Sequence, residues 1–314
     1  MPGTRALLVG DVIDDLIVVP VGPVRPDTDT TARITRTPGG SASNTAAWLA
    51  ALGAPVDLVA RVGTGDRERH EAEFTAAGVT AHLSEDSELG TGTIVIVVEG
   101  DRRAMLTDRG ANATLDAAEV TNALLDAAGA LHLTGYSLFD ALDPDAVATL
   151  IGRARARAVP VSFDPGSAGF IADYGVDRFT AAVRGVDLLL PNLDEGRLLA
   201  GLDERSDPLT VAEALLALAP AVLLTCGMAG VVIAEREGGI RSLAVDPVAT
   251  VDPTGAGDAF TAGVIAARLG GADLDAAALT GMRSAATAVS RVGARPSRAE
   301  KSAAAARPRH REQH

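Results

Sequence analysis

The sequence predicts an α/β fold in three layers, a mostly parallel central sheet flanked by helices. Three observations point there. Short Val- and Leu-rich runs recur along the 314 residues, amphipathic Ala/Leu segments lie between them, and the runs are apolar almost throughout rather than alternating. Continuous apolar runs suit strands buried on both faces. Strands that alternate with helices need right-handed crossovers, hence a parallel sheet. In chain order, strands are expected at 6–10, 56–60, 130–134, 160–164, 187–191 and 221–225. The helical patterns between them cover 43–52, 144–158, 192–200 and 209–218.

Two stretches break that rhythm. Residues 16–37 and 91–107 carry strand-like runs at 17–21, 93–98 and 104–107 with no helix between them. They read as a small antiparallel sheet made from two insertions, able to act as a lid over a site at the strand ends. Surface hairpins without function are the alternative. From about Arg295 the chain turns to Pro, Ala, Arg and His without period. Residues 297–314 are therefore expected to form a disordered tail, leaving one domain over 1–296.

Composition excludes several mechanisms. Of the 28 basic residues, all but Lys301 are arginine. A Walker-type phosphate loop needs a Lys behind its glycines, and Schiff-base chemistry needs one in a pocket; a single Lys in a polar tail fits neither. A net charge of −13 argues against a nucleic-acid partner, and one Trp, two Tyr and six Phe leave little for base stacking. Cys226 is the only cysteine, so no internal disulfide demands an oxidising compartment. The uncharged run 214–234 is long enough for a membrane span, but Pro220, Thr225, Gly227 and Gly230 divide it into a helix end, a strand, a turn and another strand. At the N-terminus, Asp11 interrupts any signal-like apolar core. The expectation is a soluble, cytoplasmic protein with no membrane or nucleic-acid partner.

Four segments carry chemistry. In 251–260, Gly255, Ala256 and Gly257 sit before or at a helix start, where backbone N–H groups and the helix dipole together form an anion hole. Asp258 beside that hole would repel a bound anion. It makes sense as a general base that takes a proton from an attacking hydroxyl while the N–H groups hold the transferring phosphoryl. A Gly-rich turn with Asp as a helix-capping residue is an equal alternative. In 38–46, Gly39 and Gly40 permit close backbone approach to a ligand, and Asn44 offers donor and acceptor to hydroxyls. A plain loop before a Ser-capped helix explains the same residues. Asn192 and Glu195 follow a buried strand, one turn apart, and suit a hydrated Mg²⁺ or a phosphate. They equally suit a capping box, and the two roles can coexist. Thr225, Gly227 and Gly230 would admit nucleotide phosphates against the backbone, or form only a tight turn.

Order and spacing decide more than any segment alone. A Gly-Gly-x-x-x-Asn helix start at 39–44, Asn-x-x-Glu at 192–195, Thr-x-Gly-x-x-Gly at 225–230 and Asp-x-x-Gly-Ala-Gly-Asp at 252–258 resemble the ribokinase-like, or phosphofructokinase-B type, carbohydrate kinases from about residue 5 to 296. The resemblance implies a fold with a β-sheet lid, ATP and Mg²⁺ as cofactors, and phosphorylation of a hydroxyl on a small sugar or sugar-like substrate. It implies Asp258 as base and Gly255, Ala256 and Gly257 as anion hole. Asp15, Gly39, Gly40 and Asn44 fall on the substrate pocket, Asn192, Thr225, Gly227 and Gly230 on the ATP site, and Glu195 on Mg²⁺, held through water. Asp252 marks a loop that in many members holds a monovalent cation such as K⁺, with help from 286–294. Homodimerisation through the lid is also implied.

Three departures from ribokinase and other sugar kinases of the family stand out. Ser41 replaces a Lys, 134–137 lacks a ribose-site Glu, and 164–168 replaces an Asn/Arg-bearing version. Ribose is therefore not the expected substrate. Asp27 and Asp29 are candidates for specificity contacts from the lid, with a solvated loop as the favoured alternative for either. A nucleoside kinase is the alternative, set back by lid stretches that contain no aromatic residue. A regulator that has lost catalysis is the third reading, against which the intact Asp258 speaks.

Overall fold

A computed structural model describes residues 3–99, 102–139, 143–246 and 248–296. Lys301 and the expected tail lie outside the described residues. The strands are β1 (Arg5–Val9), β2 (Ile13–Pro20), β3 (Ala32–Gly39), β4 (Val56–Gly63), β5 (Thr80–Asp86), β6 (Gly92–Glu99) and β7 (Arg102–Asp108). They continue with β8 (Ala128–Thr134), β9 (Val161–Asp164), β10 (Leu188–Leu189), β11 (Ala221–Thr225), β12 (Val231–Glu235) and β13 (Gly239–Leu243).

Nine strands form one sheet in the order β13-β12-β11-β10-β9-β8-β1-β4-β5. Every pairing from β5 to β11 is parallel; β12 and β13 add an antiparallel edge. Both faces are covered, and the period of two along β1 shows how. Leu7 and Val9 pack with Leu131, Leu150, Ile151 and Phe179 on one side. Ala6 and Leu8 pack with Ala46, Leu49, Ala262 and Ile265 on the other. Helix Pro144–Arg155 starts on the Asp143 side chain with Pro at its first turn, and buries Val147, Leu150, Ile151 and Ala154 along one stripe. Truncating Leu150, which is fully buried, would cost about 2–5 kcal/mol.

The two insertions, the expected lid, form a second, four-stranded sheet, β3-β2-β6-β7. It is not wholly antiparallel as expected. β2 pairs with β3, and β6 with β7, antiparallel, but β2 and β6 run parallel. Both insertions leave the body in the same direction, so their first strands lie side by side pointing the same way. Strands β3, β5 and β13 are not among the expected runs; their Thr, Arg, His, Ser and Gly content hides them among loops. The 187–191 run pairs only at Leu188–Leu189, since Pro191 has no N–H to extend the ladder. The uncharged run 214–234 divides into a helix end, β11, the turn Gly227–Ala229 and β12. Among the described residues, no helix is long and apolar enough to cross a membrane.

Strand order reverses beside β1, which has β4 on one side and β8 on the other. The crevice beyond the carboxyl ends of such strands is where open α/β sheets place their ligands. Asp11 follows β1, Asp164 ends β9, Asn192 follows β10 and Thr225 ends β11, so the topology alone brings them to one rim.

Candidate active site

Two cavities meet at that rim. One, of about 510 Å³, runs between the lid residues Ile94, Ile96 and Met105 and the body. Of the expected site residues it takes in Asp15, Gly40, Asn44, Asn192, Glu195, Thr225, Gly255, Ala256, Gly257 and Asp258. The second, of about 340 Å³, is mainly apolar, walled by Val231, Val245, Met282 and Val289, and holds Gly227 and Gly230. Thr225, Ala256, Gly257 and Phe260 border both.

Helix Ala256–Leu269 begins at this junction. Its N-cap, Gly255, has φ 77°, and a Cβ there would fall 2.7 Å from the Ala294 backbone, so both conformation and space require glycine. No side chain caps the helix. The Ala256 N–H turns back to the Pro253 carbonyl at 3.2 Å. Among the described residues, Gly255, Gly257 and Asp258 are the N–H groups at this helix start without a backbone acceptor.

Asp258 does not cap its own helix. Ser41 Oγ donates to its Oδ1 at 2.8 Å and Asn44 Nδ2 to its Oδ2 at 2.9 Å. Both donors belong to helix Ser41–Ala51, which Asp11 starts from outside. The Asp11 carboxylate accepts the N–H groups of Ser41 and Ala42, each at 3.0 Å. Gly40, at φ 93°, lets that turn pass the Asp11 carbonyl, which a Cβ would meet at 2.6 Å. Burial pushes the Asp258 carboxyl up to about 7, the two donors opposing and nearby Asp164 and Asp11 adding to it.

On the opposite wall, Asn192 and Glu195 close a complete capping box, with Asn192 N to Glu195 Oε2 at 2.9 Å and Glu195 N to Asn192 Oδ1 at 2.9 Å. Glu195 is buried, and burial raises its carboxyl to about 7. Asp164 lines the same cavity. Burial first, and then the charge of Glu195, push it up to about 8. Asp15 projects from β2 into the cavity, so close to Gly39 that a Cβ there would lie 2.3 Å from its carboxylate.

Asp252 lies behind the cavity wall rather than on it. Its carboxylate accepts Thr254 N at 3.0 Å, Thr254 Oγ1 at 2.7 Å, Gly293 N at 3.1 Å and Arg103 Nη1 at 3.1 Å. Burial would raise it, but those donors hold it down at about 2. The lid candidates Asp27 and Asp29 are exposed in the 21–30 loop, away from the cavity.

Sequence reasoning missed Asp11, Ser41, Asp164, Arg109 and Arg295 as site residues. Asp164 had a readable signal, a carboxylate ending a buried strand. Arg109 lies over the rings of Tyr136 and Phe170, 5.1 and 5.0 Å from their centroids, and all three line the cavity. Aromatic residues therefore do reach the pocket, from the body rather than the lid.

The sequence profile of the pfkB family carbohydrate kinases matches residues 4–301. A protein of Archaeoglobus fulgidus described as an uncharacterized sugar kinase is 31% identical over 254 residues, covering 79% of this chain and 96% of that one. The bifunctional protein HldE of Azorhizobium caulinodans is 30% identical over 306 residues, covering 91% of this chain. The chain spans only 61% of that relative's length. Among solved structures, adenosine kinase from Sinorhizobium meliloti superposes with TM-score 0.83 at 22% identity, and ribokinase from Thermotoga maritima with 0.80 at 24%. Each comparison covers 96% of this chain and 98% of the other, and shows a shared ribokinase-like fold. With the family profile spanning nearly its whole length, the chain belongs to the PfkB family of carbohydrate kinases, sugar and nucleoside kinases that transfer a phosphoryl group to a hydroxyl acceptor.

Proposed function

We propose that the protein is an ATP-dependent sugar kinase in which Asp258 is the general base. The observation that carries this reading is the position of Asp258 on the wall of the lid-side cavity, next to Ala256 and Gly257, which border both cavities, with its carboxylate accepting from the neutral donors Ser41 and Asn44. A carboxyl brought to about 7 by burial is matched to accepting a proton near neutral pH. The acceptor hydroxyl sits in the lid-side cavity against Asp15, Gly40 and Asn44, with Gly39 behind Asp15. The apolar cavity takes the nucleobase, with Thr225, Gly227 and Gly230 along the phosphates. The hydroxyl oxygen bonds to the γ-phosphorus as its proton passes to Asp258; the bond from that phosphorus to the β–γ bridging oxygen breaks and ADP leaves. The N–H groups of Gly257 and Asp258 hold the charge of the transferring phosphoryl.

Asp164 and Glu195 fit a hydrated Mg²⁺. Two carboxyls both raised by burial, with the charge of Glu195 raising Asp164 further, are a site short of positive charge, and oxygen ligands completed by water suit that ion. When bound, Mg²⁺ neutralises phosphate oxygens. Backbone oxygens of the 252–255 loop would hold K⁺, those of Asp252 and Thr254 being the ones that accept no backbone N–H among the described residues. The substrate is a sugar rather than a nucleoside, because Arg109 covers the Tyr136 and Phe170 faces that would stack a base. Exposed Val21, Ile34 and Leu106 support lid-mediated homodimerisation, which sedimentation would read directly. The cytoplasmic assignment rests on the ATP requirement, and a reporter fusion tests it.

ADP release, measured across ketoses, aldoses, keto-deoxy sugar acids and nucleosides with and without K⁺, identifies the acceptor; release with none of them would favour a non-catalytic binder. Asp258→Asn is expected to lower kcat about 10²- to 10⁴-fold while ATP binding persists. Retained turnover would sink the assignment of Asp258.

A further inference from the structure

We infer that Arg295 is a positioning residue for phosphoryl transfer, because its guanidinium fixes the Asn44 amide in the one orientation that donates to Asp258. The inference rests on the reading of Asp258 as base. Arg295 Nε donates to Asn44 Oδ1 at 3.0 Å, and Arg295 Nη2 to the Gly39 carbonyl at 3.1 Å. Its guanidinium lies 5.4 Å from the centroid of the Phe74 ring. An arginine has donors and no acceptor, so only the oxygen end of the Asn44 amide can face it. The nitrogen end is thereby committed to Asp258 Oδ2, 2.9 Å away.

The commitment matters because a base changes its hydrogen-bonding character during a turnover. Ionised, Asp258 only accepts; once it holds the substrate's proton it can also donate. An Asn44 free to turn would then offer its oxygen and stabilise the protonated acid. Arg295 blocks that turn, since reversal would aim an NH₂ group at a guanidinium. The amide goes on donating, which favours the ionised base and readies it for the next cycle.

The strap that carries Arg295 is itself tied to the site. Gly293 N donates to Asp252 at 3.1 Å, and Trp48 Nε1 donates to the Ala294 carbonyl at 2.9 Å. Those ties reach the loop before Asp258 and the helix that bears Asn44, so both ends of the relay share one support. The charged groups facing Arg295 are Glu73, Asp15, Asp258 and Asp11.

The test combines kinetics with a readout that needs no substrate. ¹⁵N spectra of the full chain, with the Asn44 side-chain amide assigned by its loss in Asn44→Ala, report the orientation directly. Arg295→Met is expected to shift and broaden that amide pair. With ATP and whichever screened acceptor turns over fastest, Arg295→Met lowers kcat about 10- to 100-fold, as lost outer partners do, and changes KM less than about threefold. In the Asn44→Ala background the same substitution costs no more than about twofold. An unmoved amide overturns the inference, as does an equal kcat loss in both backgrounds. Should Arg295→Met not fold, Arg295→Lys gives the same readout: a point charge without the fork cannot hold Asn44 and Gly39 together, and the amide must again move. Turnover retained in Asp258→Asn would overturn the base assignment alone and leave the amide result standing.

Discussion

Asp14 and Asp15 are neighbours on β2 and face opposite ways, one towards Arg69 on helix Arg67–Ala77, where the small sheet joins the body as at a hinge, and the other into the cleft. At the hinge, Arg69 grips both Asp14 oxygens at 3.0 and 2.8 Å, Arg36 binds it too, and Arg69 continues to Asp66 at 3.0 Å. Burial would raise the Asp14 carboxyl, but its two arginines bring it below the usual range. In the cleft, burial carries Asp15 up to about 6, with Arg295 opposing and Asp11 and Asp14 adding. Asp14 is buried and Asp15 half-buried, so exposure alone would raise Asp14 the more; their partners reverse that order. Carboxylates with matched guanidinium forks hold a structure together, whereas those left with neutral donors or like charges are poised for chemistry.

Exchanging each for its amide should separate the two roles. Asp15→Asn is expected to lower kcat/KM for the acceptor about 10²- to 10³-fold, as lost substrate positioning does, with no loss of stability. Asp14→Asn should leave kcat within about threefold and cost about 2–3 kcal/mol, a buried-pair loss discounted for the partial exposure of both arginines. Urea denaturation and steady-state kinetics on both variants read this out. Similar phenotypes from the two would break the comparison.

The pH dependence of stability supplies a second contrast, in sign. Asp15 is raised from the ordinary 3.8 to about 6, so the folded state binds its proton more tightly. Its contribution is full below about pH 4 and is lost as pH rises through 6. Asp14 is lowered, so its contribution is present above about pH 4 and lost as pH falls through its folded value. Measured from pH 3.5 to 7.5, Asp15→Asn should gain on the wild type as pH rises. Asp14→Asn should fall furthest behind at neutral pH. Slopes of the same sign would show that the two faces are not electrostatically distinct.

What the sequence made legible follows the same divide between local and distant causes. Gly255–Asp258 and Gly39–Asn44 could be read because each packs its chemistry into a few contiguous residues: glycine where the backbone needs it, then a polar side chain at a helix start. The sheet could be read because its inner strands are apolar on both faces. Ser41 and Arg295 could not, because their roles exist only across 217 residues to Asp258 and 251 residues to Asn44. Asp11 looked like an interruption of an apolar run; its work is to start a helix 30 residues on. No local pattern encodes such pairings.

The smallest expected effect tests whether the lid has a second tie besides its hinge. Arg103 on β7 reaches the loop before the Asp258 helix, donating to Asp252 at 3.1 Å and Thr254 Oγ1 at 3.0 Å. This contact bridges lid and body across the mouth of the cleft, where Asp14 and Arg69 join them at the back. Its arginine side chain is 38% exposed, so the pair is worth about 0.5–1 kcal/mol. That corresponds to roughly two- to fivefold in the balance between closed and open lid. Arg103→Ala should therefore raise the acceptor KM about two- to fivefold and leave thermal stability almost unchanged. Since Asp252 stays ionised above about pH 2, the effect should be constant from pH 5 to 9. Raising salt should shrink it, because exposed pairs are screened within about a Debye length. If KM in Arg103→Ala equals that of the wild type at low salt, the hinge alone governs closure. The lid would then be held from one side only.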